Sequence, residues 1–245
     1  MTMIGHDDLL LPDYLQTMDQ LIMEYPNASL YQSHFRYIDS EGKLVRHCQS
    51  MPVEQHVSEF LACQLDGSRD STGTGYMMRS ADYDELGGIS PLYPNLIFAD
   101  YELWMKLTSK SYVVTSAEET FCYRLHNSVS RVTNGEDYQQ AFGIYMRFLS
   151  ALRDTDSSIA VTLNRHGKAM LYYFCESLSH RLLKTPVRNR KTKVGIFIEQ
   201  CRMHARSLIP GQRFSPLTKP GIFAAWVLDN PPGRALFSLI KNRRR

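Results

Sequence analysis

Two adjacent carboxylates stand close to the start of the chain, where Asp7 and Asp8 follow an apolar lead-in. Mg²⁺ and Mn²⁺ take oxygen ligands, and proteins usually hold them with one or two carboxylates together with substrate phosphates and water. The pair therefore suggests a site for a divalent metal and a phosphate. The alternative is structural: Asp8 or Asp13 caps a helix that begins near Pro12, since Asp is favoured at N-caps and Pro at the first helical position.

The composition is that of a globular chain and argues against secretion. Of the 245 residues, 43% are hydrophobic, which is enough for the core of one large domain or two small ones. The five cysteines are scattered and form no CxxC pair, so neither a disulfide framework nor a zinc site is indicated. Because no signal peptide and no spanning apolar run are recognisable, we expect a cytoplasmic location.

Charge is divided unevenly along the chain. Residues 1–150 contain 10 Lys and Arg against 20 Asp and Glu, a net charge of −10, whereas residues 151–245 contain 18 against 5, a net charge of +13. A basic region interleaved with apolar stretches suits an anionic membrane surface, although a solvated helix face has the same pattern. Since no nucleic-acid-binding signature accompanies it, we expect no nucleic-acid partner and predict peripheral contact with the inner face of the cell membrane.

The periodicity of apolar residues predicts alternating strands and helices up to about residue 125 and helices alone after that. The first helix is expected to bury a face formed by Leu15, Met18, Ile22 and Tyr25. The predicted strands are 29–38, 44–48, 73–79, 112–115 and 120–125. The predicted helices are 12–25, 53–64, 80–86, 100–108, one from residue 139, 159–183, 193–207 and 234–242.

Four local patterns follow one another within the first 131 residues. The first is the acidic pair, and the second is a glycine-containing strand at 73–79, followed by a Gly-Gly pair at 87–88 that would end the next helix. The third is Ala-Asp-Tyr-Glu-Leu-Trp-Met-Lys-Leu at 99–107, and the fourth is Tyr-Arg-Leu-His-Asn-Ser-Val-Ser at 123–130. Their order and spacing resemble the second half of a family 2 glycosyltransferase domain with the GT-A fold. The resemblance implies an α/β fold class, with a partial GT-A domain over residues 1–131 and a basic α-helical region over residues 132–245.

The resemblance also implies roles for the acidic residues. In this family the acidic motif holds a divalent metal, Mn²⁺ or Mg²⁺, that bridges the two phosphates of a nucleotide-sugar, so Asp7 and Asp8 are the implied ligands. His126 matches a position that approaches the metal, with a structural histidine as the alternative. Asp100 matches the general base that deprotonates the acceptor hydroxyl, and its alternative is an N-cap. Many members carry an Asp where this chain has Gly5, so we expect thinner metal coordination.

Further positions of the motifs give candidate substrate-binding residues. They are Gly73, Gly75, Glu102, Trp104 and Arg124. The glycines permit close backbone approach beneath a substrate. A phosphate could pair with Arg124, although a partly exposed salt bridge is the commoner arginine role. The ring of Trp104 could face the acceptor sugar, but a Trp between helical leucines is more often part of the core.

The motifs together predict an inverting glycosyltransferase. It would transfer a sugar from a nucleotide-diphosphate donor to a glycan or lipid-linked acceptor in cell-envelope polysaccharide synthesis. Only residues 1–4 precede the acidic motif, so the family's nucleotide-binding half is expected to be missing, and the sheet is expected to have an open edge and a bare apolar face. The alternative function is a truncated, non-catalytic remnant that acts as a binding or assembly module.

Overall fold

The protein consists of an α/β unit and a helical unit. The computed structural model describes three stretches of the chain, residues 1–125, 133–186 and 189–242. Contacts divide the chain into two compact units, Met1–Pro91 with Ala99–Arg131 and Leu92–Phe98 with Val132–Arg245. The short segment Leu92–Phe98 groups with the helical unit.

The first unit is built on a mixed six-stranded sheet. Its strands are β1 (Leu9–Leu10), β2 (Leu30–Ile38), β3 (Leu44–His47), β4 (Glu54–His56), β5 (Tyr76–Met78) and β6 (Tyr112–Arg124). The long strands β2 and β6 pair in parallel at the centre. The short strands pair antiparallel with them, β1 and β4 along β6, and β3 and β5 along β2. The parallel pair requires a long connection, since a tight turn joins only antiparallel strands.

Helices cover both faces of this sheet at its centre. The helices of the first unit are α1 (Tyr14–Glu24), α2 (Val57–Asp66), α3 (Ser80–Glu85) and α4 (Ala99–Lys110). Helix α1 packs on the face that carries Tyr31 and Val114. The neighbouring residue Gln32 points to the opposite face, because successive strand residues alternate. Its partner Tyr76 stacks on Trp104 of α4 with ring centroids 4.4 Å apart, so α4 covers that second face.

The sheet has an open edge at β3. This strand is exposed along its length and carries the exposed side chains of Leu44 and Val45. Within the described part of the chain, β3 pairs with β2 alone. The expected open edge is therefore present, whereas the expected bare apolar face is not found, because α1 and α4 cover the two faces of the sheet at its centre.

Helix α1 turns a different face to the core from the one that the sequence predicts. Leu15 and Ile22 are exposed, whereas Tyr14, Met18 and Leu21 are buried. The prediction is wrong because both Tyr14 and Leu15 keep helical spacing to Met18. The ring of Tyr14 packs against the sheet in place of Leu15, so the buried face of α1 is shifted by about one residue from the predicted face.

Two predicted boundaries in the first unit also differ from the structure. The strands predicted at 112–115 and 120–125 are one continuous strand, β6, whose pairing with β2 shifts register on either side of His34. A register shift of this kind breaks the alternation of buried and exposed residues without ending the strand. The helix predicted from residue 53 begins at Val57, because β4 occupies the three residues before it.

The second unit is helical. Its helices are α5 (Gly135–Thr155), α6 (Ser157–Lys184), α7 (Val194–Leu208), α8 (Pro220–Val227) and α9 (Pro231–Asn242). The first three pack against one another, α8 packs on α6 and α7, and α9 packs on α6. Helix α8 was not predicted, since eight residues are too few to establish a helical period. Among the residues that the structure describes, no helix is long and apolar enough to cross a bilayer.

Gly75→Ala is expected to destabilise the protein by about 2 to 4 kcal/mol, because strain and overpacking add. Gly75 has a φ of +82°, and an added Cβ would lie 2.7 Å from the ring of Phe121. The matched control is Gly67→Ala, whose φ is +74° with no atom within 4 Å of the added Cβ. The control should cost only about 1 to 2 kcal/mol. Urea denaturation measures both, and equal losses would mean that Phe121 does not restrict position 75.

Candidate functional site

Three segments of the first unit, far apart in the sequence, meet at one small cleft. They come from the loop before β1, the loop before β5 and the end of β6. The lining residues are Gly5, Asp7, Asp8, Gly73, Thr74, Tyr123 and Arg124. The cleft has a volume of about 140 Å³, less than the roughly 300–1,000 Å³ of most ligand pockets. It has room for an ion or a phosphate group, and a nucleotide-sugar would extend beyond it.

Asp8 joins the three segments. Its Oδ2 accepts a hydrogen bond from Thr74 Oγ1 at 2.6 Å, and its Oδ1 accepts one from the backbone N–H of Arg124 at 2.9 Å. The side chain therefore does not cap α1, and Asp13 at the N-cap position makes no capping side-chain bond either. Each carboxylate oxygen has a second acceptor site, so metal ligation by Asp8 stays a prediction alongside its observed anchoring contacts.

A side chain at position 5 would crowd the two carboxylates of the cleft. An added Cβ would lie 2.7 Å from Asp8 Oδ2 and 3.2 Å from Asp7 Oδ1. A third carboxylate at this position would also meet the repulsion of like charges. The placement of these two carboxylates therefore favours glycine at position 5.

Arg124 fastens the acidic loop to the turn between β2 and β3. Its Nε donates to the main-chain oxygen of Asp7 at 2.8 Å. Its Nη1 donates to the main-chain oxygens of Asp39 at 2.7 Å and Ser40 at 3.2 Å. The guanidinium thus binds three carbonyls and positions the loop, while phosphate binding by Arg124 stays a prediction. The side chain of Asp7, 21% exposed, is left at the cleft wall.

Asp100 lies beside Gly73, in the first turn of α4. The helix begins at Ala99, so Asp100 is not its N-cap. A Cβ added to Gly73 would lie 3.2 Å from Asp100 Oδ2, which explains why a glycine suits this position. Asp100 is not one of the residues that line the cleft. The carboxyl group therefore lies next to a residue of the cleft wall.

The surroundings of Asp100 shift its protonation toward neutral pH. Burial raises the pKa of this carboxyl to about 6, since a charged form loses hydration in the protein interior. Hydrogen bonds from the backbone N–H groups of Tyr101 and Asp100 itself lower the pKa and offset only part of that effect. A carboxyl group with such a pKa is mostly ionised at neutral pH yet remains a useful proton acceptor.

Two of the predicted substrate-binding residues are buried in the first unit. Trp104 is fully buried, and its Nε1 donates to the main-chain oxygen of Thr72 at 3.0 Å. It is a core residue with no exposed face, which is the alternative that the sequence favoured for this tryptophan. Glu102 is also buried, and its Oε1 accepts a hydrogen bond from Lys106 Nζ at 2.5 Å. That ion pair gives Glu102 a structural contact within α4.

The two predicted glycines divide between the cleft and the core. Gly73 lines the cleft, whereas Gly75 is not among the lining residues and lies against the ring of Phe121. The requirement for glycine at position 75 is thus explained by packing and backbone conformation. His126, the third predicted metal ligand, lies outside the residues that the structure describes.

Sequence reasoning missed Thr74 and Tyr123 as residues of the cleft. Tyr123 precedes Arg124 in the last of the four motifs, so its neighbourhood was identified but not its position at the cleft wall. A hydroxyl side chain between Gly73 and Gly75 was the available signal for Thr74. Its partner, Asp8, is 66 positions away, and a single sequence does not reveal a contact at that separation.

The carboxylates at the cleft suit a metal ion whose remaining ligands come from the substrate and water. In the described part of the chain, no group of three or more His, Cys, Asp or Glu side chains is arranged to hold a metal. Two adjacent carboxylates at an open cleft are nevertheless a donor set that Mg²⁺ uses when phosphates and water supply its other ligands. The residues present therefore fit a metal site whose ligands come partly from the protein and partly from the substrate, and they do not fit a site built from protein ligands alone.

Comparison with known proteins adds no further identification. No family model matches the sequence, and no curated protein matches it. The functional assignment therefore depends on the four sequence motifs and on the geometry of the cleft.

Thr74→Val is expected to destabilise the protein by about 1.5 to 3 kcal/mol, because it leaves Asp8 Oδ2 without its hydroxyl donor. Thr74→Ser keeps the hydroxyl and is the matched control, with a loss of less than about 1 kcal/mol. The free energy of unfolding in urea gives both values. If the two variants lose the same stability, Asp8 is not held through Thr74.

Asp100→Asn is expected to remove a pH-dependent contribution to stability. The folded-state pKa of about 6 lies above the ordinary value of 3.8, so the protonated carboxyl favours folding, and this contribution is lost as the pH rises through 6. The variant should therefore exceed the wild type by about 1 to 2 kcal/mol above about pH 7 and match it below about pH 4. Urea denaturation across this range measures the difference, and parallel profiles would contradict a raised pKa for Asp100 in the folded protein.

Proposed function

We propose that this chain is an inverting glycosyltransferase of GT-A type, or the catalytic part of one, that uses a nucleotide-diphosphate sugar. One observation carries the proposal. Residues from the first, second and fourth motifs line a single cleft, and Asp100 of the third motif lies 3.2 Å from the Cβ position of Gly73. These residues are up to 117 positions apart, so their convergence is a property of the fold that the motif order alone does not guarantee.

The chain's own residues suggest how the chemistry would be divided. A divalent cation bound by Asp7, with Asp8 in support, would offset the negative charge of the departing diphosphate. Asp100, with its pKa raised to about 6, would accept the proton of an acceptor hydroxyl as its oxygen attacks the anomeric carbon. Attack from the face opposite the diphosphate inverts that carbon.

The proposed glycosyltransferase activity implies a donor and an acceptor substrate. The donor is a nucleotide-sugar, and the acceptor is a glycan or a lipid-linked sugar at the cell envelope. The basic C-terminal region, with its net charge of +13 over residues 151–245, would hold the protein peripherally at the inner, anionic surface of the membrane.

A non-catalytic remnant is the second candidate function, and specific features favour it. The cleft is only about 140 Å³, and both oxygens of Asp8 already accept hydrogen bonds from the protein. The described residues contain no cluster of three metal ligands. Such a chain would serve as a binding or assembly module, with its helical unit as the contact surface.

The test of catalysis is Mn²⁺-dependent turnover of nucleotide-sugars, with water or an added glycan as acceptor. Asp7→Ala and Asp100→Asn should each reduce the rate by about 100-fold or more, since each removes a group that acts on the reacting atoms. Asp13→Ala is the matched control, because Asp13 is exposed and makes no capping side-chain bond. It should retain full activity.

Two outcomes would contradict the proposal. Activity that survives both Asp7→Ala and Asp100→Asn would remove these residues from the mechanism. A folded protein that neither binds nor turns over any donor in the presence of Mn²⁺ would favour the remnant.

A further inference from the structure

The second unit exposes a cluster of large apolar side chains on α7 and α8. Ile196 is 53% exposed, Phe223 49%, Trp226 47% and Val227 48%. A single exposed apolar residue is ordinary, but a contiguous group that includes two aromatic rings is typical of an interaction surface. These four residues are called the docking face below.

The geometry of α8 makes the docking face one surface. Phe223, Trp226 and Val227 follow the i, i+3, i+4 spacing that places side chains on the same side of a helix. The opposite side of α8 is buried through Ile222 and Ala225. The rings of Phe223 and Trp226 lie with centroids 5.9 Å apart, so they present a shared apolar surface.

Helix α7 extends this surface. The Cβ position of Gly195 lies 3.3 Å from Trp226 Nε1, so the indole rests against the first turn of α7. A larger residue at position 195 would displace the ring. Ile196, the next residue along α7, adds a further exposed apolar side chain at the start of this helix.

The charges around the docking face are predominantly positive. Lys193 and Lys219 are exposed and occupy the N-cap positions of α7 and α8. The carboxylate of Asp229 is nearly inaccessible and pairs with Arg190 at 2.6 Å, so its charge is compensated. Glu199, on the next turn of α7, pairs with Arg202.

We propose that the docking face inserts into the interfacial region of an anionic phospholipid bilayer. Trp and Phe side chains settle at the boundary between headgroups and acyl chains, and nearby lysines attract anionic headgroups. An apolar surface flanked by Lys193 and Lys219, in a region of net charge +13, complements that boundary in both respects. The inference specifies the surface for the membrane contact in the proposed function and does not depend on sugar transfer.

The indole itself reports the insertion. The chain has two tryptophans, Trp226 on the docking face and Trp104, which is fully buried and supplies a constant background. Full-length protein mixed with phosphatidylglycerol vesicles should show a blue shift of its emission and quenching by brominated acyl chains. Vesicles of phosphatidylcholine alone should cause neither change.

Substitutions on the docking face test its contribution. Phe223→Ser combined with Val227→Ser should weaken binding to phosphatidylglycerol vesicles by about tenfold or more, since both apolar side chains leave the lipid. Lys219→Gln should weaken it by about fivefold, which corresponds to one basic residue near an anionic surface. Vesicle sedimentation measures these affinities.

Val161→Ser is the matched control. Val161 is 61% exposed on α6, whereas α8 meets that helix near Glu176, against which the Cβ position of Gly221 lies. The separation of fifteen residues is about 22 Å along a helix. This variant should bind vesicles as the wild type does.

Three outcomes would overturn the inference. They are absence of binding to phosphatidylglycerol vesicles, binding that the double variant leaves unchanged, and a wild-type dimer in light scattering that the double variant dissociates. The last result would assign the docking face to a second copy of the chain. Turnover of a water-soluble nucleotide-sugar is a separate readout, so failure of lipid binding is distinguishable from failure of the proposed catalysis.

Discussion

The candidate site depends on a single buried carboxylate. Asp8 accepts hydrogen bonds from the hydroxyl of Thr74 and from the backbone N–H of Arg124, residues that are 66 and 116 positions away in the sequence. A buried acceptor without donors would cost several kcal/mol, so the three segments are held together wherever Asp8 is folded into place. The cleft forms because this carboxylate holds together the three segments that line it.

The same contacts explain why the two acidic residues differ in their surroundings. Asp8 is used for structure, while Asp7 keeps a partly exposed side chain at the cleft wall. Arg124, which the sequence offered as a candidate for phosphate binding, binds main-chain oxygens of the acidic loop and of the turn between β2 and β3. Gly5 and Gly73 complete the arrangement, because a side chain at either position would crowd a neighbouring carboxylate.

The sequence predicted the parts of the fold that depend on local pattern. The long helices of the second unit are close to their predicted bounds, since apolar residues recur in them over many turns. It did not predict which face of α1 is buried, because Tyr14 and Leu15 both satisfy the period. The continuity of β6 was also missed, since its register shifts interrupt the alternation of buried and exposed residues.

The same limit applies to the site. Motif order brought attention to Asp7, Asp8 and Asp100, but only the folded chain shows that Thr74 supports the loop. Burial decides the pKa of Asp100, and burial is set by distant packing. Trp104 illustrates the converse, because its position between helical leucines already indicated the core in which the structure places it.

Binding of Mn²⁺ by the cleft is the most direct test of the account, and the electron paramagnetic resonance signal of free Mn²⁺ follows it. With a nucleoside diphosphate present, the wild type should remove about one equivalent of Mn²⁺ from solution, because the diphosphate completes the shell that Asp7 begins. Asp7→Asn should abolish this uptake, and Asp13→Asn should preserve it. Uptake that is absent in the wild type, or unchanged in Asp7→Asn, would contradict a metal and diphosphate site at this cleft.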